Sequence, residues 1–125
     1  MIQTRGSITL TTLVAGSAAV VALLVGSLVV SHAMATHSAH SASDLAALGA
    51  ATEALAVWND EACCVIASDI ARANGARMTA CQIVRAGDEV AASVAVEVKV
   101  AWTLPVLPAV VVATSYAGNP AVVGP

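Results

Sequence analysis

An uninterrupted apolar run from Ile8 to Val30 constrains this chain more than any other feature, because it contains no charge, Pro, Asn or Gln. As a helix it would cover roughly 35 Å, enough to cross the ~30 Å hydrocarbon core of a bilayer with some tilt. Arg5 precedes the run and no Lys or Arg comes after it until Arg72. By the positive-inside bias the N-terminus then belongs in the cytoplasm and everything after Ser31 outside. Membrane lipid is the first partner to expect.

Three fates are open to this segment. The length favours a retained signal anchor, since the apolar core of a cleavable signal peptide is typically ~7 to 15 residues. A cleaved secretory signal is the second, with Ala33-Met34-Ala35 as a small-x-small site and a soluble product starting at Thr36. The third is a prepilin-type leader, Met1 to Gly6, cut before Ser7. Within the run Ala18, Ala22 and Gly26 recur every four residues on one helical face, with Ala15 beside them. Small residues at that spacing let helix backbones approach closely in lipid. An Ala-rich sequence also produces such stripes without any packing role.

The remainder of the chain is enough for one small domain whose core needs help from a disulfide or from partners. Five Lys/Arg against eight Asp/Glu leave a net charge of −3, and only Trp58, Trp102 and Tyr116 are aromatic. The basic footprint and the stacking platforms of a nucleic-acid binder are therefore both missing. Ser31 to Ser41 is polar but holds no helix breaker, so the helix is expected to continue out of the membrane. Leu45, Leu48, Thr52 and Leu55 then trace one face to Trp58. Gly49 is its weak point, costing ~1 kcal/mol against Ala. His32, His37 and His40 invite a metal reading, but no nearby Cys or close carboxylate completes a site, and a solvated juxtamembrane face is expected instead.

Asn59 or Asp60 is suited to cap a second helix over Glu61 to Asn74, with Cys63, Ile66, Ile70 and Ala73 on its apolar face and Asn74-Gly75 ending it. From Val90 to Trp102 the even positions are apolar while Ser93, Glu97 and Lys99 fall on odd ones, the alternation of a half-buried strand. Met78 to Val84 is its expected partner, and Arg85 to Glu89 supplies the turn. The second helix is expected to cover the hairpin's apolar face, because a lone hairpin is marginal in water. Leu104-Pro105-Val106-Leu107-Pro108 then forbids a central strand. Ala109 to Ala113 reads as a short edge strand or an apolar tail, with Val110 to Val112 as a docking surface or a last strand, and Gly118 to Pro125 as poorly ordered.

Cys63 and Cys64 open the second helix and Cys81 sits in the first strand, so a bridge would staple helix to hairpin. Such a loop contributes ~3 kcal/mol on the chain-entropy model, and the expected orientation places all three thiols where disulfides persist. The helix face favours Cys63, which lies with Ile66 and Ile70; Cys64 is the alternative. The odd thiol is left free or pairs between chains. Zinc is a weak rival without a fourth ligand.

Neither a nucleophile elbow nor a phosphate-binding Gly loop is present, and adjacent Asp60 and Glu61 point to different helix faces, so no carboxylate pair forms. No enzyme, cofactor or small-molecule substrate is expected. The fold expected is α+β, with a leader at 1–7, a transmembrane helix at 8–30, a helical extension at 31–58, a small exported domain at 59–104 and a tail at 105–125.

Three stretches are similar to a known family. Arg5-Gly6-Ser7 precedes the anchor, Ser41-Ala42-Ser43-Asp44-Leu45-Ala46-Ala47-Leu48 resembles an Ala-rich AADLAALA segment, and Cys64 through Ala71 to Asn74-Gly75-Ala76, then Cys81 and the Val-rich strand, resembles the C-terminal half. The resemblance is to TadE-like proteins of actinobacterial helicase and secretion gene neighbourhoods, relatives of the minor pilins of tight-adherence (Tad) pili. It covers most of the chain in motifs of low complexity. It implies a pilin-like, membrane-held subunit of a pilus or secretion assembly, with other pilin-like or secretion proteins as partners. Its cysteine spacing implies Cys64 rather than Cys63 as the partner of Cys81. In one respect the chain departs from type IV-like pilins, which carry a Glu five residues into the mature helix: after cleavage at Gly6 that position is Thr11.

Overall fold

The computed structural model describes residues 2–123, with side chains from 6 to 122; Met1 and the Arg5 side chain of the expected leader, and Gly124 and Pro125 of the expected tail, lie outside the described residues. Helix α1 spans Ile2–Ala56 without a break. From Gly6 to Ser27 every residue on it is exposed, whereas from Ala35 onward one face is buried. That face is built almost wholly from alanine: Ala39, Ala42, Ala46, Ala47 and Ala50 have no accessible surface. Alanine has the highest intrinsic helix propensity and the shortest apolar side chain. The same residues therefore stiffen the helix and let another layer come close to it.

Helix α2, Asp60–Ala73, starts where the sequence indicates. The Asn59 side chain accepts from the Ala62 backbone N–H at 3.2 Å, and Asp60 and Glu61 occupy the first turn, at the positive end of the helix dipole. At the other end the Asn74 amide donates to the Ile70 carbonyl at 2.8 Å and Gly75 takes φ 75°, the left-handed conformation that favours glycine.

Three antiparallel strands complete the sheet, β1 Arg77–Ala86, β2 Glu89–Lys99 and β3 Val110–Gly118, in the order β1-β2-β3. The β1-β2 turn is tight. Ala86 pairs with Glu89, and Gly87 takes φ 63° at the first central position, as a type II′ hairpin requires. The alternation on β2 is real, with Ala92, Val94, Val96 and Val98 buried on one face. Trp102 is not part of it: the strand ends at Lys99, and Trp102 lies 43% exposed in the connection to β3.

Two expectations are corrected by the packing. The apolar face of β2 and β3 is covered by α1, and α2 packs against β1 and α1 rather than roofing the hairpin alone. An alanine face carries too little hydrophobic contrast to announce itself in the sequence, which favours the larger residues of α2 as the cover. The segment after Pro108 is also more than a five-residue edge strand or a tail. It forms β3, paired with β2 from Lys99↔Val110 to Ala91↔Gly118, and ends in a short helix α3, Pro120–Val123, where disorder was expected. The two prolines fall in the connection, which the Val100 N–H closes onto the Ala109 carbonyl at 2.8 Å. Gly118, at φ 112°, is required there because a Cβ would strike the Val90 carbonyl.

Gly49 is explained by the same close packing. A Cβ at this position would overlap Ile70 Cδ1, so the glycine leaves the space into which α2 rests its isoleucine. The helix-propensity cost of the residue is offset by contact between α1 and α2. Ala46→Leu, which forces a large side chain into the closest part of this layer, is expected to lower stability by about 1–3 kcal/mol. Leu48→Ala on the exposed face should stay within ~0.5 kcal/mol. Paired urea titrations of the two variants check this; equal losses would contradict the alanine interface.

Candidate functional site

The expected functional residues fall into three places along α1. At the end farthest from the apolar run, α1, α2 and the hairpin meet on Arg85. Its Nη1 donates to the Ala54 carbonyl at 2.7 Å and Nη2 to the Val57 carbonyl at 3.0 Å, so it serves the unpaired carbonyls at the C-terminus of α1. Its Nε donates to Asp60 at 3.1 Å, and its guanidinium lies 4.9 Å from the centroid of the Trp58 ring. One half-buried cation thus ties the last turn of one helix, the first turn of the next and the end of β1. Sequence reasoning assigns Arg85 to a turn and misses this role. The available signal is that it is the lone cation among residues 78–98, at the end of an apolar strand.

Nearby, Cys64 is bonded to Cys81, with 5.9 Å between their Cα atoms, which joins α2 to β1. Cys63 is a free, fully buried thiol. The helix-face reasoning therefore selects the wrong cysteine, while the family spacing selects the bonded one. The physical reason is that α2 has two packing sides. Cys63, Ala67 and Ala71 form its buried stripe, Ile66 is 38% exposed, and Cys64, one residue round, faces β1. Burial pushes the Cys63 thiol up, outweighing the opposing influence of Arg85; Asp60 and Glu53 add to the rise. It is an inert core residue, not a nucleophile.

The middle of α1 carries the buried polar contact of the core. Ser43 and Ser115 hydroxyls lie 2.7 Å apart, Ser43 also reaches the His40 carbonyl, and Ser115 donates to the Asp44 carboxylate. This links α1 to β3 through a chain of short side chains. His37 and His40 are exposed, and among the described residues no three His, Cys, Asp or Glu side chains gather around a common point.

At the near end, the apolar run meets the domain. The Ser31 hydroxyl accepts from the Trp102 backbone N–H at 3.1 Å, and His32 Nε2 lies 3.3 Å from the Thr103 hydroxyl. Ala35, a candidate cleavage residue, is buried, and Thr36 is exposed with its hydroxyl donating to the His32 carbonyl. Gly6 and Ser7 lie on α1 as well, Ser7 accepting from Thr11 at 2.8 Å. Ala15, Ala18, Ala22 and Gly26 are all exposed, and a Cβ added to Gly26 would meet only open space. The small-residue face is thus uncovered in the single chain. The structure does not bring these positions together with the cysteines; they occupy opposite halves of the molecule.

No protein-family model, curated protein or solved structure matches this chain.

Two outcomes are expected at this level. Arg85→Ala should cost about 2 kcal/mol, since it leaves part-buried helix-end carbonyls without their donor, and Arg85→Lys should recover only part because a single ammonium nitrogen cannot span the spread of acceptors that the planar guanidinium reaches. Chemical denaturation of the two variants measures the difference. For Cys63 the thiol's contribution to stability is fully present below its ordinary value of about 8.5, and is lost as pH rises toward the raised folded value. Thermal midpoints should therefore decline on the alkaline side more steeply in the wild type than in Cys63→Ala. Parallel slopes would contradict it.

Proposed function

We propose that this chain is a membrane-anchored, pilin-like structural subunit or accessory factor, of the TadE-like kind, that serves a Tad-type pilus or secretion assembly and catalyses no reaction. The observation that carries the proposal is the division of α1. Its first half is apolar and bare, with every residue from Gly6 to Ser27 exposed, and its second half is the backbone of a disulfide-stapled α+β domain. A helix that served only as a core element would be covered in its most apolar part, and this one is covered only in its alanine part.

The hydroxyl groups of the bare half are compatible with lipid around it. In hydrocarbon each unsatisfied polar group costs several kcal/mol. Here Thr11 and Thr12 donate their hydroxyls back to the Ser7 and Ile8 carbonyls, and Ser17 and Ser27 to those of Val14 and Leu24. Thr11, which stands where a type IV-like pilin has Glu, is therefore satisfied within its own helix. It presents no charge to a neighbouring subunit's amine, so the route into a filament would differ from that of such pilins, and an accessory role beside a filament is equally served.

Secretion after cleavage at Ala35 is the alternative. It would discard Ser31 and His32, whose contacts tie the β2-β3 connection to α1, and would take Ala35 from the core. Retention keeps all of them. On the proposed reading, mass spectrometry of the membrane fraction finds an N-terminus that is intact or begins at Ser7, and the protein co-isolates with a sheared filament or export complex. A product beginning at Thr36 removes the anchor, and a solely monomeric membrane protein removes the assembly.

A further inference from the structure

The β2-β3 connection is long, uncharged and apolar, and neither the sheet nor the disulfide explains its side chains. Trp102 and Leu104 are each 43% exposed, Leu107 is 38% exposed and Val106 is 87% exposed. No charged residue occurs anywhere after Lys99. The loop is nevertheless held in place: Val100 pairs with Ala109 across its base, the Leu107 N–H turns back to the Leu104 carbonyl at 3.0 Å, and Trp102 and Thr103 are fixed to Ser31 and His32. An ordered loop that presents four large apolar side chains outward is costly in water.

Its location decides what covers it. Ser31 is the residue after the apolar run ends, so the loop stands at the level where an anchored α1 leaves the hydrocarbon. Within the run burial begins only at Leu28, which is half-buried while its neighbours up to Val30 are exposed. The domain therefore reaches down α1 to about one turn inside the apolar segment. Trp is the residue type enriched at the membrane interface, where its ring is apolar and its N–H finds water or headgroups.

Charge is distributed to match. The end of the sheet beside this loop holds Arg77 and Lys99, which with Arg72 line one depression; Arg77 is paired with Glu97 and Arg72 lies 3.9 Å from Asp69, which leaves this end an excess of one positive charge. The opposite end, formed by the last turn of α1, the first turn of α2 and the β1-β2 turn, carries Glu53, Asp60, Glu61, Asp88 and Glu89, against Arg85, which is paired with Asp60. An anionic bilayer surface attracts the first end within a Debye length and repels the second.

We propose that the Trp102–Pro108 loop is a second membrane contact, which inserts into the interface of an anionic bilayer beside the chain's own helix and seats the domain with its basic end down. The proposal rests on the anchored reading of α1. A second copy of the chain is the competing occupant of the same apolar side chains.

The two tryptophans make the test internal, since Trp58 lies at the far end of α1, ~40 Å along the helix from Ser31. Full-length Trp58→Phe and Trp102→Phe variants, each with one remaining tryptophan, are reconstituted in phosphatidylcholine-phosphatidylglycerol vesicles carrying lipid with a doxyl quencher near the headgroup. The expected result is loss of Trp102 emission and no loss of Trp58 emission, with Val106→Glu restoring Trp102 emission while the protein still floats with the vesicles. Flotation with unquenched Trp102, or quenching that emerges only as protein density rises and is unchanged by Val106→Glu, overturns the loop contact and leaves the anchor standing. Failure to float overturns the anchor and the loop contact together.

Discussion

Contact between the alanine face of α1 and the sheet is what the rest of the structure depends on. Because Ala39, Ala42, Ala46 and Ala50 have no side chain beyond Cβ, the helix can lie close over β2 and β3, and the valines of β2 supply the bulk of the buried layer, with Met78, Ile83 and Val111 packed against its edge. Val94 and Val96 are the largest fully buried side chains, so little apolar area is available per residue and the core cannot be strong by size. The domain compensates at its margins. The Cys64–Cys81 bond restrains the unfolded chain, and Arg85 ties both helices to the end of β1 at the point where the layers meet.

A repeating alanine face also has a weakness, in that sliding the helix by one turn replaces alanine with alanine. Something other than shape must fix the register. The buried Ser43–Ser115 contact does so for β3, since displacement by a turn would part the two hydroxyls and carry Asp44 away from Ser115. Gly49 does so for α2, because only there is room left for Ile70. Arg85 does so for the helix end, where its acceptors are the carbonyls of Ala54 and Val57. Each pin acts on a different neighbour of α1, and together they select one alignment among several that burial alone would rank as equal.

These pins explain which parts of the fold were legible in the sequence. The cap at Asn59, the Gly75 stop, the β1-β2 hairpin and the β2 alternation are local, written in residues whose conformational preferences are strong. The covering of the sheet was not legible, because alanine is compatible with lipid, water and core, and its pattern along α1 carries almost no amphipathic contrast. The cysteine pairing failed on the helix-face argument for a related reason: one face was assumed for α2 where the fold gives it two. Arg85 was hidden because its acceptors are backbone carbonyls, which no side-chain pattern reveals. Among the candidate sites, the small-residue face and the processing positions all lie on α1, and nothing local distinguishes a bare helix awaiting partners from a bare helix surrounded by lipid.

Helix α1 has two contrasting halves, and the change between them is abrupt. From Ile8 to Val30 α1 is uncharged and almost wholly exposed; from Ala35 one face is buried, and the outer face mixes Thr36, His37 and His40 with exposed Leu45, Leu48 and Leu55. Polypeptide helices change surroundings easily at a Gly or Pro hinge, but none lies between Gly26 and Gly49. Ser31 and His32 instead bond to the β2-β3 connection inside this interval, and add a second strut alongside the uninterrupted backbone. Orientation of the domain relative to the apolar half is therefore set by the helix itself and braced where the two meet. A flexible tether would let the domain tumble above its anchor. On the proposed reading, in which the apolar half is an anchor, a braced helix passes the direction of that half directly to the sheet, so that packing of the one would determine how the other is presented.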